Sequence, residues 1–597
     1  MAGRIEDYAL IGDTHTAALV GKDGSIDWMC VPRFDSGAVF SALLGKPDHG
    51  RWKLAPAGGI RSVERQYHGH TLVLETTFHT DDGVVRVTDF MPIRRRAVEV
   101  VRIVEGVSGR VPMHMDLHIR FDYGNVIPWV RTIDGQLLAK AGPNALMLSS
   151  PVHHHGAGYS SVSDFVVEAG AKVPFVLAWY PSHEAPPRIG DAMRLYHDTV
   201  SWWNRWVQSA TCEEETGELI MRSLITLKAL TYAPTGGIVA APTTSLPEWI
   251  GSVRNWDYRY CWLRDSVLTL GALMVGGYTS EAMAWRDWLL RAAAGEPSKL
   301  QIMYSVTGER RLPEYEVPWL PGYEGSSPVR VGNAASDQFQ LDVYGETLAS
   351  LHLMRTHFPP AADDGTADSW PFETALLEFL ESAWHQPDEG LWEVRGGRQH
   401  FTHSKVMAWL AFDCAVRSAE MFDLPAPIDR WRQARDDIHD LVCDEGYDPE
   451  LGSFTQAFGS KQLDAALLQL PMVGFLPPTD ERVIGTVAAI ERELLTDGFV
   501  LRYRSETVDD GLPPGEGVFL PCSFWLVDNY MLQGRTREAR TLFDRLGGLT
   551  NDVGLFSEEY DPHSGRQLGN TPQAFTHLAY VQAAKLVTEG APEKRPF

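Results

Sequence analysis

The chain of 597 residues carries 53 Lys plus Arg against 78 Asp plus Glu, a formal net charge of −25. That balance disfavours nucleic acid and anionic membrane as partners, because a phosphate-binding surface needs a concentrated excess of cations. Hydrophobic residues at 44% and charged residues at 22% fit a folded globular protein rather than a disordered one, and roughly two to four domains are expected at this length.

No stretch approaches the roughly 18 to 20 apolar residues of a membrane span, and Met1 to Leu10 contain no apolar leader run, so a cytoplasmic enzyme is expected. The six cysteines (Cys30, Cys212, Cys261, Cys414, Cys443 and Cys522) show no C-x-x-C spacing. They sit in apolar or aromatic surroundings and read as reduced and mostly buried, with no metal site.

In chain order, residues 1–185 read as an antiparallel β-sandwich. Short β-branched and aromatic runs such as Thr71 to His79, Val84 to Met91, Val98 to Val107 and Phe165 to Tyr180 are separated by Gly, Pro, Asn and Asp. Within it, His153-His154-His155 cannot converge on one ion, since neighbours in a strand face opposite sides; a solvated turn is expected. Residues 186–212 read as a linker helix, rich in Trp between Asp191 and Ala210.

From 213 to 597 the apolar period changes to 3.6, with about twelve helical stretches starting near 213, 261, 279, 336, 369, 402, 427, 462, 478, 518, 536 and 572. Links from even to odd helices are short, and links from odd to even helices run to about 15 to 40 residues. Six α-hairpins with the even helices inside would form an (α/α)6 barrel with every long loop at one end. An open helical repeat array fits the same counts.

Those long loops hold the candidate chemistry. Trp256 to Asp265 mixes aromatic plates with Arg264 and Asp265, a combination suited to sugars, whose C–H faces pack on rings and whose hydroxyls take charge-assisted hydrogen bonds. Asp265 as a helix cap among core aromatics is the alternative. Glu393 follows Trp392 in a Gly-rich loop, and Glu558 lies in Ser557 to Asp561. Paired carboxylates are what glycosidic cleavage demands, one to donate a proton to the leaving oxygen and one to act on water or the anomeric carbon. The apolar wall of Trp392 suits Glu393 to the acid role.

With these residues placed, the chain resembles glycoside hydrolase family 15, the glucoamylase, glucodextranase and prokaryotic trehalase group. The resemblance rests on Ala240 to Glu248, Arg254 to Asp265, Leu391-Trp392-Glu393, Glu516-Gly517 through Trp525, Ser557 to Asp561, and Gly569 to His577. Ile11 to Thr14 and Gly24 to Ser36 resemble the prokaryotic branch, in which a β-sandwich precedes an (α/α)6 barrel. The resemblance implies Glu393 as general acid and Glu558 as general base of an inverting, exo-acting α-glucoside hydrolase that releases β-glucose and needs no cofactor. It implies that Arg264 and Asp265 hold the terminal glucose, with Tyr258, Trp262 and Trp392 around it. Arg502 holds further hydroxyls, with Arg504 as the alternative.

The sequence departs from fungal glucoamylases at Val394 and Glu559, where those enzymes have Glu and Gln. Residues 311–346, with Trp319, Asp337 and Asp342, are expected to shape the leaving-group side. Asp337 or Asp342 is also a candidate to assist water, against the plainer role of binding or capping. Trehalose, isomaltose-type sugars and maltooligosaccharides compete as substrates. A phosphorylase on a similar barrel and a catalytically silent carbohydrate-binding protein are the alternatives. No oligomeric state follows from the sequence.

Overall fold

The computed structural model describes residues 2–209, 217–357 and 369–590. Cys212 and the expected helix start near 213 lie outside these. Fifteen strands between Tyr8 and Pro181 form one continuous antiparallel network. The strand Val98–His118 joins its two layers. The first half of this strand pairs with Gly83–Phe90 and Lys172–Pro181, and the second half with Arg51–Pro56 and Ser160–Glu168. At the crossover Gly109 has φ +74 and lies against the Asp82 carbonyl, where a Cβ would collide; only glycine accommodates both demands.

Helix α1 (Ala192–Gln208) is capped by Asp191, whose carboxylate accepts from Arg194 N at 2.8 Å. Its Trp206 stacks on Tyr278 at 4.0 Å and donates to Glu281 at 2.8 Å. Ala192, at its other end, packs with Val73, Phe90 and Val176 of the sheet, so α1 fastens the two parts of the chain together.

Among the described residues twelve further α-helices follow: α2 (Glu218–Ala229), α3 (Leu263–Val275), α4 (Thr279–Ala292), α5 (Asp342–His357), α6 (Trp370–Ala383) and α7 (Thr402–Phe422), then α8 (Ile428–Glu445), α9 (Gln469–Met472), α10 (Glu481–Glu493), α11 (Leu520–Leu532), α12 (Thr536–Gly547) and α13 (Ala574–Glu589). α3 packs on α5, α5 on α7, α7 on α9, α9 on α11, α11 on α13, and α13 returns to α3. That return contact closes an (α/α)6 barrel, whereas in an open array the last helix would not meet the first.

Burial separates the two rings. α7 is buried from Thr402 to Val416 without a break and α11 from Leu520 to Met531. Outer α12 buries only Ala539 and Leu546, and α8 only Trp431, Ile438 and Val442. A helix apolar all round belongs inside; one with a single apolar stripe belongs at the surface. The expected start near 336 is displaced: Ala334–Asp337 is a short 3-10 turn, and α5 begins at Asp342.

Because each long loop leads into an inner helix, the N-terminal ends of α3, α5, α7, α9, α11 and α13 gather at one end of the barrel. The β-region braces the loops there. Trp28 donates to the Pro242 carbonyl at 2.8 Å. Arg259 is wholly buried, holds Asp257 through two bonds of 2.8 and 2.6 Å, and donates to the Ser36 carbonyl at 2.9 Å.

Candidate active site

A cavity of about 690 Å³ opens at this end, lined by Glu248, Tyr258, Arg264, Trp392, Glu393 and Arg502 among others. The mixture of indole, phenol, guanidinium and carboxyl groups on one wall suits a polyhydroxylated ligand.

Glu393 closes the tight turn Gly390–Glu393, its N–H bonding the Gly390 carbonyl at 3.0 Å, and takes φ +59. Its Oε1 accepts from Trp262 Nε1 at 2.7 Å, and Arg264 Nη1 stands 3.9 Å away. Burial raises the Glu393 pKa, and Asp265 and Asp342 add to the rise, while Arg264 and the Trp262 bond oppose it. Arg264 bonds Asp265 at 2.9 Å and the Leu391 carbonyl at 3.0 Å, tying α3 to the acidic loop. Trp392 is fixed by Asp464, whose two oxygens accept from its Nε1 at 2.9 and 3.0 Å.

Glu558 precedes the short strand Glu559–Asp561 and is fully buried. Its Oε2 accepts from Asn570 N at 3.0 Å, and the Tyr258 side chain interacts with the same carboxyl group. Burial and then the charge of Glu248 push its pKa up to about 8, against the pull of Tyr258, the Asn570 N–H and Arg502. Burial and then the charges of Glu558, Glu248 and Glu393 push the pKa of Tyr258, on the cavity wall, well up.

Beside this pair Arg502 Nη2 meets Glu248 Oε2 at 2.8 Å, Glu516 Oε2 at 2.6 Å and Glu559 Oε1 at 3.4 Å. These three carboxylates have the spacing of a cation site, with ligand atoms within 4.8 Å of one another, but the cation they surround is the guanidinium. Glu559 is buried behind Arg502 and also accepts from Gly517 N at 2.8 Å, so it supports Arg502 rather than facing the cavity.

Sequence reasoning passed over Glu248. It joins Arg502 to Trp256, whose Nε1 it accepts at 3.1 Å, and it sits at the end of the strand Thr244–Pro247 within a motif that was visible. Of the expected leaving-group residues, Trp319 is exposed and donates to the Tyr123 carbonyl at 3.0 Å, and Asp337 is exposed at its 3-10 turn. Neither lines the cavity. Asp342 is buried at the start of α5, where burial raises its pKa to about 6. Arg502 lines the cavity, whereas Arg504 opens a turn, accepting from Thr507 N at 3.0 Å, and is exposed. In the histidine tract His154 is buried against Ser163 at 2.6 Å and its two neighbours are exposed.

A closed (α/α)6 barrel with paired carboxyl groups and aromatic walls at its loop end defines a glycosidase. Residues 214–585 match the family model described as "Glycosyl hydrolases family 15", and residues 1–177 match "Trehalase-like, N-terminal"; the chain belongs to glycosyl hydrolases family 15. It is 37% identical to a protein named Trehalase from Mycobacterium tuberculosis, over 97% of this chain and 89% of that one. It is 35% identical to another of that name from Thermoplasma volcanium, over 98% and 94%. A bacterial glucoamylase solved with acarbose shares the fold, with a TM-score of 0.75 at 14% identity, covering 98% of this chain and 94% of that one.

Proposed function

We propose that this glycoside hydrolase cleaves trehalose, with Glu393 as general acid and Glu558 as general base, inverting the attacked anomeric carbon. The observation that carries the reading is that Glu393 lines the cavity with its Oε1 held by Trp262 Nε1 at 2.7 Å, while a second buried carboxyl group, Glu558, is held at the same end of the barrel by Asn570 N at 3.0 Å. Inverting hydrolysis needs a proton donor and a proton acceptor on either side of one bond. The names of the full-length relatives supply the substrate.

In this reading Arg264, Asp265, Trp262 and Arg502 hold the terminal glucose. Glu393 gives its proton to the glycosidic oxygen as the C1–O bond breaks. Glu558 takes a proton from the water that attacks C1, so one water is consumed and two glucose molecules leave. A phosphorylase would need one catalytic carboxyl group and a phosphate cradle, and the second carboxyl group, Glu558, favours hydrolysis instead.

The test is a panel of trehalose, isomaltose, maltose, kojibiose, nigerose, dextran and starch, with proton NMR of the earliest product. Trehalose should give α- and β-glucose in equal amounts, the β form from the attacked ring. α-Glucose alone would overturn inversion, and phosphate-dependent glucose 1-phosphate would overturn hydrolysis.

A further inference from the structure

The acid-bearing loop is anchored at both ends. At Leu391 its carbonyl accepts from Arg264, and at Arg395 its N–H donates to the Asp510 carbonyl at 2.7 Å. Glu393 lies between the two anchors. If the Arg264 side holds the terminal sugar, the Arg395 side faces the group that leaves.

That side has its own construction. Gly396 and Gly511 bring the two loops into backbone contact, since a Cβ on Gly396 would meet the Asp509 carbonyl oxygen at 2.6 Å. Asp510 is fixed by Arg254 at 2.7 Å and by the Tyr503 hydroxyl at 2.6 Å. The root of Arg395 is therefore rigid. Its guanidinium lies over the Trp256 ring at 4.3 Å, and that of Arg330 over the same ring at 4.6 Å. Glu314 bridges them, at 3.1 Å from Arg395 Nη2 and 3.6 Å from Arg330 Nε.

Two guanidinium groups over one indole leave it little surface on which a sugar ring could stack. Arg330 is further committed, donating to the Val253 and Asn255 carbonyls at 2.7 and 3.0 Å. Arg395 lines the cavity with its side chain 32% exposed, and among the described residues its only hydrogen bond from the guanidinium goes to Glu314. Its remaining N–H donors have no hydrogen-bond partner among the described residues, and their planar array suits adjacent hydroxyl oxygens.

We propose that Arg395 is a specificity-determining residue that binds the hydroxyls of the departing sugar, so that the preferred substrates are glucosides whose leaving group is itself a hexose. The proposal rests on the hydrolase reading above. α-Glucosyl fluoride separates the two, because fluoride leaves without occupying the Arg395 side.

In Arg395→Met, which keeps an unbranched chain over Trp256, KM for the disaccharide should rise by roughly ten- to a hundredfold, the loss expected for charge-assisted bonds. Turnover of the fluoride should stay within about twofold of the parent. Arg395→Lys should recover part of the disaccharide affinity. An equal fall on both substrates would make Arg395 merely structural and overturn the proposal, as would an unchanged KM for the disaccharide. A parent enzyme inactive on both substrates would overturn the hydrolase reading itself. If the parent prefers maltose or isomaltose, the comparison is made with that sugar and decides in the same way.

Discussion

The indole N–H of Trp262 is bonded to Oε1 of Glu393 at 2.7 Å. That bond assigns the two oxygens of the proposed acid: Oε1 is an acceptor, leaving Oε2 to carry the proton that is given away. It also favours the ionised carboxylate and so holds the pKa lower than burial alone would set it.

Replacing Trp262 with Phe removes this bond. The Glu393 pKa should then rise, and the alkaline limb of the kcat profile should move to higher pH while kcat falls several-fold. A limb that moves down or stays in place would contradict the assignment.

Removal of either carboxyl group should be severe and asymmetric. Glu393→Gln and Glu558→Gln should each lose about 10²- to 10⁴-fold in kcat on trehalose, the usual worth of a positioned acid or base. Only Glu393→Gln should retain turnover of α-glucosyl fluoride, since fluoride leaves without a proton. Near-native trehalose turnover in both variants would refute the roles.

Glu248 sets the level of Glu558 through like charge. Glu248→Gln removes that charge and frees Arg502, and both effects favour ionisation of Glu558. The acidic limb of kcat/KM, which reports the base of the free enzyme, should therefore shift to lower pH. A profile displaced only in height would leave Glu248 with a structural role alone.

Glu346 lies buried on α5, where burial and then Asp342 raise its pKa from 4.5 to about 8. A raised carboxyl pKa favours folding fully below the unfolded value, and that contribution is lost as pH climbs from about 4.5 to 8. Glu346→Gln should match the parent in thermal stability at pH 4 and exceed it at pH 9, by on the order of 2 to 4 kcal/mol. Equal stability at both values would show that Glu346 finds a compensating partner.

Arg259 is the wholly buried link between Asp257 and the Ser36 carbonyl. Arg259→Leu leaves Asp257 buried without its cation and should lower stability by about 3 to 5 kcal/mol in denaturant unfolding. Activity should fall as well, because Tyr258 is the adjacent residue.

Helix number and ring assignment were legible because the 3.6-residue period and the alternation of loop lengths are local properties of the chain. The start of α5 was misplaced because Asn333 caps Ala335 N at 3.0 Å and begins a 3-10 turn in place of the helix. Glu393 and Glu558 stood out because each lies in a loop of unusual composition. Glu248 did not, since its partners Arg502, Glu516 and Glu559 are hundreds of residues away and only closure of the barrel brings them together. Trp319 and Asp337 have the composition of a sugar-binding loop, but Trp319 is held by Tyr123 of the β-region, a contact between distant parts of the chain. Arg502 and Arg504 share the same parity, and only the turn that opens at Arg504 separates them.

The backbone of Glu393 sits at φ +59, a conformation that glycine adopts freely and that is unfavourable by roughly 1 to 2 kcal/mol for other residues. Selection for a more stable fold and selection for turnover therefore pull position 393 in opposite directions. In a lineage that no longer needed the reaction, replacement by glycine would relieve backbone strain and abolish the acid in a single step. A relative carrying glycine at that position, with the rest of the barrel intact, would be identified by one residue as a fold kept for something other than cleavage.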